Sequence, residues 1–272
     1  ECLKKRSYFL KPEDFMPEKM LANDDLDLQL VWLQVLLDKG LSFTSDDLME
    51  EFIKCYPANP NEYGYGKRNY RRGIKPPVSG TFANEFFMNS MGCPIRAEIW
   101  AMICPGRPEK GIELAYRDGC LDHGEESIYA EQYITALESL SFLSQDRLEL
   151  IKKASEYIPE TSRIYHVISD VSGAFEKGAE LEKVMDYLET EYGDVDCSIS
   201  FYNIGVIALA LLYGNGEFEK RLHWRLTVVM IRIVRLPRWA LFWELCMEKR
   251  FSGKNGWVTA ERKYYRMCES AL

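Results

Sequence analysis

The sequence predicts an all-α protein, a compact single-domain helical bundle, and three observations carry that expectation. Apolar residues recur with a helical period, roughly every three to four positions, along most of the chain. No alternating strand of useful length occurs before residue 220. The composition, 47% hydrophobic, 13% aromatic and 28% charged over 272 residues, belongs to a folded globular chain and excludes disordered, collagen-like and low-complexity classes. A chain of this length buries a full core without disulfide help.

The elements follow in order. Residues 24–38 read DDLDLQLVWLQVLLD, with Leu26, Leu30, Leu33 and Leu37 on one stripe and Leu28, Val31 and Val35 beside it. Asn23 is placed to cap this helix, acids occupy its first turn where the dipole favours them, and Gly40 follows its end. Ser45 caps a short segment 46–54. Cys55 to Ser79, rich in Pro, Gly, Asn and Tyr, reads as the one long loop. Pro108 opens a helix running toward Asp118. Residues 127–143 form a strong amphipathic helix, and further helices follow at 145–156, 161–176, 180–191 and 199–213.

Charge divides the chain unevenly. The formal net charge is −8, yet residues 219–272 hold 12 Lys/Arg against 5 Asp/Glu, leaving 22 against 37, or −15, for residues 1–218. The same tail carries 4 of the 6 Trp. Glu1-Cys2-Leu3-Lys4-Lys5-Arg6 leads into no long apolar run, so no signal peptide is read, and an opening on Glu1 rather than Met reads as a fragment of a longer protein. The most apolar stretch, Ile204 to Leu212, is about half the length needed to cross a bilayer. The 8 Cys are scattered with no CxxC pair, as expected of a reduced, cytoplasmic protein with buried thiols.

Two places carry chemistry. Asn23, Asp24, Asp25 and Asp27 gather oxygen donors at a helix start. Capping and dipole compensation account for such a cluster. Adjacent carboxylates and an amide oxygen on one turn also suit Mg²⁺, with Asp24 and Asp25 as ligands and Asn23 as a weaker third. Two acids do not complete a binuclear site, so that reading requires a second cluster elsewhere. The other place begins with the rigid loop Gly73–Gly80. Asn89, Ser90, Met91 and Gly92 then precede a helix, where backbone N–H groups can hold phosphate. His123 alone reads as a hydrogen-bonded structural histidine. With Asp122 before it and Gly124, Ser127 and Tyr129 after it, a ligand pocket is expected. His166 and His223 have no such surroundings.

In their order along the chain, these elements resemble those of the ADP-ribosylglycohydrolases. The family opens its metal site with Thr/Ser-Asp-Asp or Asn-Asp-Asp at a helix start, which here is Asn23-Asp24-Asp25 continuing into LDLQLVWL. The phosphate loop resembles Asn89-Ser90-Met91-Gly92 with Ile95-Arg96 after it, and the family's Asp-x-x-x-His resembles Asp118 to His123, one residue longer. Asn203, the run Leu209–Gly214 and Glu217–Lys220 are similar to its larger bacterial branch. The resemblance covers about residues 8–220. It implies Mg²⁺-dependent hydrolysis of the glycosidic bond joining ADP-ribose, or a related riboside, to a protein side chain or small acceptor. It further implies two Mg²⁺ ions, with Asp24 and Asp25 at the catalytic metals. Asn89, Ser90, Met91, Gly92, Asp122, His123, Gly124, Ser127 and Tyr129 would line the substrate site.

The family's second metal element, Gly-x-Asp-Thr-Asp, is missing. Thr227 to Arg235 stands in its place, with no acid between Glu219 and Glu244. The genetic code supplies a reason. Read one frame over, with the last base of each codon joined to the first two of the next, Met230-Ile231 must give Asp and Trp239-Ala240 must give Gly. Likewise Phe242-Trp243 must give Leu and Trp243-Glu244 must give Gly. The remaining overlaps permit Gly-Tyr-Asp-Thr-Asp-Cys-Thr-Ala-Ala from Val228 onward, at the family's spacing. Residues 1–220 are therefore read as the family domain and 221–272 as a basic tail, a frame-shifted remnant of that domain. Codons at Ile231 and Arg232 unable to read ACG and GAT in the shifted frame would sink this account. The competing reading makes the tail an arm for a membrane surface or nucleic acid. On the frame-shift reading the partner is an ADP-ribosylated protein or an ADP-ribose-like small molecule, with no nucleic acid and no membrane. The expected activity is impaired, and a non-catalytic ADP-ribose-binding or structural relative is the alternative.

Overall fold

The structure is a computed structural model and describes residues 24–196 and 198–214, all within one unit of chain contacts. Asn23 and the tail 221–272 lie outside the described residues. The described residues form helices throughout, with a single isolated antiparallel bridge between Ser90 and Ile199.

Helix α1 spans Asp24–Lys39, as its periodicity predicts, but it buries a different face. Leu28, Val31, Trp32 and Val35 enter the core, whereas Leu37 is 72% exposed. The expected leucine stripe runs beside the true one because Trp32 sets the register. Its indole packs edge-on to Phe52 at 5.5 Å, and the large ring outweighs several leucines in apolar area. A 3-10 turn, Gly40–Ser42, follows, and α2 covers Ser45–Cys55. Its cap is Thr44 rather than Ser45, because Asp47 lies three residues on and closes a reciprocal capping box. The Thr44 N–H donates to the Asp47 carboxylate at 2.8 Å.

The expected long loop between Cys55 and Ser79 contains α3, Asn61–Arg71. Its composition conceals the helix, yet Glu62, Tyr63, Gly66, Lys67 and Asn69 are buried. Gly66 serves a close approach, since a Cβ there would stand 2.8 Å from the Leu121 carbonyl oxygen. Lys67 turns its ammonium over the Phe52 ring at 4.0 Å and donates to the carbonyls of Tyr56 and Ala58. Asn69 donates to the carbonyls of Ser79 and Phe82, fastening the segment that carries the short helix α4, Val78–Thr81. After a 3-10 turn at Pro94–Arg96 come α5, Glu98–Met102, and α6, Pro108–Gly119.

Helix α7, Glu125–Ser141, is the axis of the fold. The sequence predicts it as amphipathic, but it is buried on nearly every side, packed by α5, α6 and the Pro94–Arg96 turn. Helices α8, Arg147–Ser155, α9, Arg163–Glu176, and α11, Ser200–Tyr213, cover the rest of it, and α10, Leu181–Tyr192, flanks α11. Glu126 of α7 accepts from the N–H groups of Arg163 and Ile164, so one helix caps the start of another. Tyr187 and Tyr192 of α10 both donate to Asp170 of α9, at 2.8 and 2.7 Å. Among the described residues no helix is long and apolar enough to cross a membrane.

The burial of α7 leaves Glu138 fully inside, with neither carboxyl oxygen hydrogen-bonded among the described residues. Burial, followed by the nearby charge of Glu98, holds this carboxyl well above its ordinary range, so it folds protonated. Glu138→Met, close in volume, is expected to stabilise the domain by about 1–3 kcal/mol. The gain should grow as pH rises above the ordinary carboxylate range, where wild type must take up a proton to fold. Thermal melts of the two proteins against pH check this, and a lower Tm for the variant would count against an unpaired Glu138.

Candidate active site

The site is built where the start of α1, the start of α3, the loop before Pro94 and the turn after α6 come together. Asp25 is buried, and its carbonyl accepts from Gln29 Nε2 at 2.9 Å. The same amide donates to Glu98 Oε2 at 2.8 Å, tying α1 to α5. Asp24 is half-buried at the helix start. The Tyr63 hydroxyl of α3 donates to the Gly92 carbonyl at 3.3 Å. Burial first, then the charge of Glu62, with Asp24 among the lesser causes, pushes that phenol well above its ordinary value. Tyr63 thus lies between the acidic start of α1 and the 89–92 loop.

Beyond α6 the chain turns back on itself, the His123 N–H donating to the Gly119 carbonyl and the Gly124 N–H to that of Met88. This turn holds a fully buried polar chain. Arg96 donates through Nε to Asp118 Oδ1 at 2.9 Å, and through Nη1 and Nη2 to both oxygens of Asp122 at 3.1 and 2.9 Å. Trp100 Nε1 donates to the other oxygen of Asp118 at 3.0 Å. Asp122 Oδ1 in turn meets His123 Nδ1 at 2.6 Å. The far nitrogen, Nε2, lies 3.4 Å from Ser90 Oγ and 3.8 Å from Glu62 Oε1. Carboxylate, imidazole and hydroxyl are therefore aligned, with the guanidinium clamping the first of them.

Electrostatics follow from this packing. Burial opposes the charge of Asp122, but Arg96 and then His123 outweigh it and hold the carboxyl down to about 2. Burial likewise opposes an imidazolium at His123, yet Asp122 and Glu62 overcome it and raise its pKa. Glu131, fully buried beside Cys93 and Asp118, is held protonated by burial and by the charge of Asp118. The low Asp122 pKa makes a stabilising contribution that is present above the unfolded value of 3.8 and lost as pH falls through about 2. That window is worth about 2 kcal/mol. Asp122→Asn should flatten the fall of stability across it, as read by urea unfolding at a series of acid pH values.

The loop itself is gripped from below. Ser127 Oγ donates to the Ser90 carbonyl at 2.5 Å and lies 3.1 Å from Cys93 Sγ. The Ser200 N–H donates to the Asn89 carbonyl at 2.8 Å, which joins the loop to the start of α11. A Cβ on Gly92 would come within 2.8 Å of His123 Nε2, so this residue must be glycine for the imidazole to approach. The N–H groups of Gly92 and Cys93 have no protein acceptor among the described residues, and such amides before a helical turn suit an anion.

The structure thus brings Ser90, Gly92, Asp122, His123, Gly124 and Ser127 together, with Asn89 at the edge and Met91 buried in the core. Tyr129 stands apart, half-buried near Glu125, Glu126 and Tyr116. Two residues that matter escape sequence reasoning. Glu62 sits inside the segment read as a loop. Arg96 is legible only as a residue after the phosphate loop, and its buried pairing with Asp118 and Asp122 leaves no local pattern.

Among the described residues no group of three or more His, Cys, Asp or Glu side chains is placed to hold an ion. Asp24 and Asp25 place two adjacent carboxylates at the start of α1, two of the ligands a magnesium ion would take, while Asn23 lies outside the described residues.

The ADP-ribosylglycohydrolase family matches the chain over residues 4–228. The chain belongs to that family. No curated protein and no solved structure matches it. The matched span contains every helix described above, and the all-α architecture is that of an ADP-ribosylglycohydrolase. Glycohydrolase chemistry on ADP-ribose conjugates is what membership brings.

Proposed function

We propose that this ADP-ribosylglycohydrolase binds ADP-ribose conjugates and cleaves them weakly or not at all. The observation that supports the reading is the rigid 89–92 loop. Among the described residues its Gly92 and Cys93 N–H groups make no backbone hydrogen bond, and the Arg96–Asp122–His123–Ser90 chain holds it in place. On this reading the diphosphate lies along those N–H groups, and a protonated His123 offsets the negative charge of Glu62 beside it.

Complete hydrolysis joins the oxygen of a water to C1″ of the ribose. The C1″ bond to nitrogen or oxygen breaks, its electron pair leaves with the acceptor, and the acceptor gains a proton. Carboxylates near the anomeric carbon would stabilise its developing positive charge. Asp24 and Asp25 are the candidates the family resemblance offers, and the sequence has no acid between Glu219 and Glu244 to complete their site.

Titration calorimetry with ADP-ribose, paired with an assay for Mg²⁺-dependent release of ADP-ribose from a modified protein, tests both halves. Binding without release is expected. Brisk release would contradict the account of the missing acids, and absence of binding would end the ADP-ribose reading for this chain.

A further inference from the structure

Beside the site lies a surface that the chemistry above does not use. Segment 67–75 reads KRNYRRGIK, with five basic residues and no acid, in a protein of net charge −8. Lys67 is buried and Lys75 is already paired with Asp46 at 3.2 Å. Arg71 and Arg72 are exposed and make no ion pair among the described residues. Arg68 lies over the Tyr65 ring at 4.4 Å. That ring meets Phe87 at 6.0 Å, and Phe87 meets Phe86 at 4.7 Å. Asn69, next to Arg68, carries the Phe82 backbone through its hydrogen bond at 2.7 Å. Phe86 is 64% exposed, Val78 53% and Phe82 50%. Arg68, Tyr65, Phe87 and Phe86 thus form a chain of ring contacts, and the exposed Val78 and Phe82 stand on the segment that Asn69 fastens to α3, whose end carries Arg71 and Arg72.

We propose that this strip docks an acidic segment of a protein partner, with apolar side chains against Phe82 and Phe86 and flanking carboxylates on Arg68, Arg71 and Arg72. Charge complementarity carries the assignment. Residues 1–218 carry −15, so a basic strip within them favours an acidic partner and fixes its orientation. Exposed rings between arginines also suit single-stranded nucleic acid. That occupant fits less well, because a polyanion gains affinity by neutralising many phosphates, and few unpaired cations stand here on a negatively charged body. The inference does not depend on glycosidic chemistry. If the proposed function holds, the docked segment belongs to the modified protein.

Fluorescence anisotropy with the full chain tests it. The probes are a labelled peptide with Asp and Glu flanking a Phe, the same peptide with Lys in place of the acids, and a single-stranded oligonucleotide. The acidic peptide should bind, weaken as salt rises, and outcompete the Lys peptide. Arg71→Glu combined with Arg72→Glu should weaken it on the order of tenfold or more, because like charges then face each other. Phe86→Ser should weaken it by a smaller factor on the order of threefold. All three side chains are exposed, so thermal melts should match wild type. Peptide binding indifferent to these substitutions would place the attraction in the basic residues 219–272 and overturn the proposal. So would an oligonucleotide that binds more tightly than the peptide. No probe contains ADP-ribose, so failure here is separate from failure of the proposed function.

Discussion

Arg96→Ala is expected to leave the domain barely folded. The guanidinium is fully buried and satisfies two carboxylates, Asp118 and Asp122, that are themselves fully buried. Removing it leaves Asp118 with only the Trp100 N–H and Asp122 with only His123. Breaking a buried pair in this way costs about 3–5 kcal/mol, against a total stability of about 5–15 kcal/mol for a domain. Arg96→Lys should cost less while still weakening the fold, because one ammonium cannot reproduce the two-pronged grip on Asp122 and the Nε bond to Asp118. Urea unfolding ranks the three proteins. A loss under about 1 kcal/mol for the alanine variant would show that the cluster relaxes by protonation instead. The site should suffer with the fold. Asp122 freed of Arg96 rises in pKa, and the hydrogen bond that orients His123 weakens with it.

Several features of this arrangement could be read from the residues, and the unread ones have physical causes. Helix existence follows from period, so α1, α2, α6 and α8–α11 are legible in the sequence, but which face is buried depends on the partner. Trp32 decided that for α1 through Phe52, a residue on another helix. Helix α3 was hidden because Pro, Gly and Asn usually mark loops, whereas Gly66 is there to admit Leu121 and Asp122. Helix α7 is expected to be amphipathic, yet Glu131, Glu138 and its serines lie inside. Protonation and hydrogen bonds to backbone allow them inside. His123 was visible as a pocket residue because its neighbours are small. Its relation to Glu62 was not, since a contact across 61 positions leaves no local pattern. The role of Asn23 and of the tail falls on residues outside the description.

A chain read in the shifted frame after about residue 220 is expected to gain catalytic activity. A chain carrying Gly-Tyr-Asp-Thr-Asp-Cys-Thr-Ala-Ala from Val228 onward, and continuing in that frame, would regain two acids where the present sequence has none between Glu219 and Glu244. Glu131 and Glu138 do not serve as substitutes, because burial holds both protonated and a neutral carboxyl is a poor ligand for Mg²⁺. The expected change is the appearance of Mg²⁺-dependent ADP-ribose release, orders of magnitude above the present chain, since a carboxylate that holds an electrophilic metal is not replaced by binding alone. Two controls separate catalysis from mere stabilisation. Asp25→Asn in the restored chain should abolish release while ADP-ribose binding at the 89–92 loop survives. The restored chain should also melt higher, because small residues replace arginine and tryptophan in a segment the family match reaches as far as residue 228. A restored chain that melts higher yet stays silent would mean that the loss of activity lies elsewhere, with Asp24 and Asp25 reduced to capping a helix.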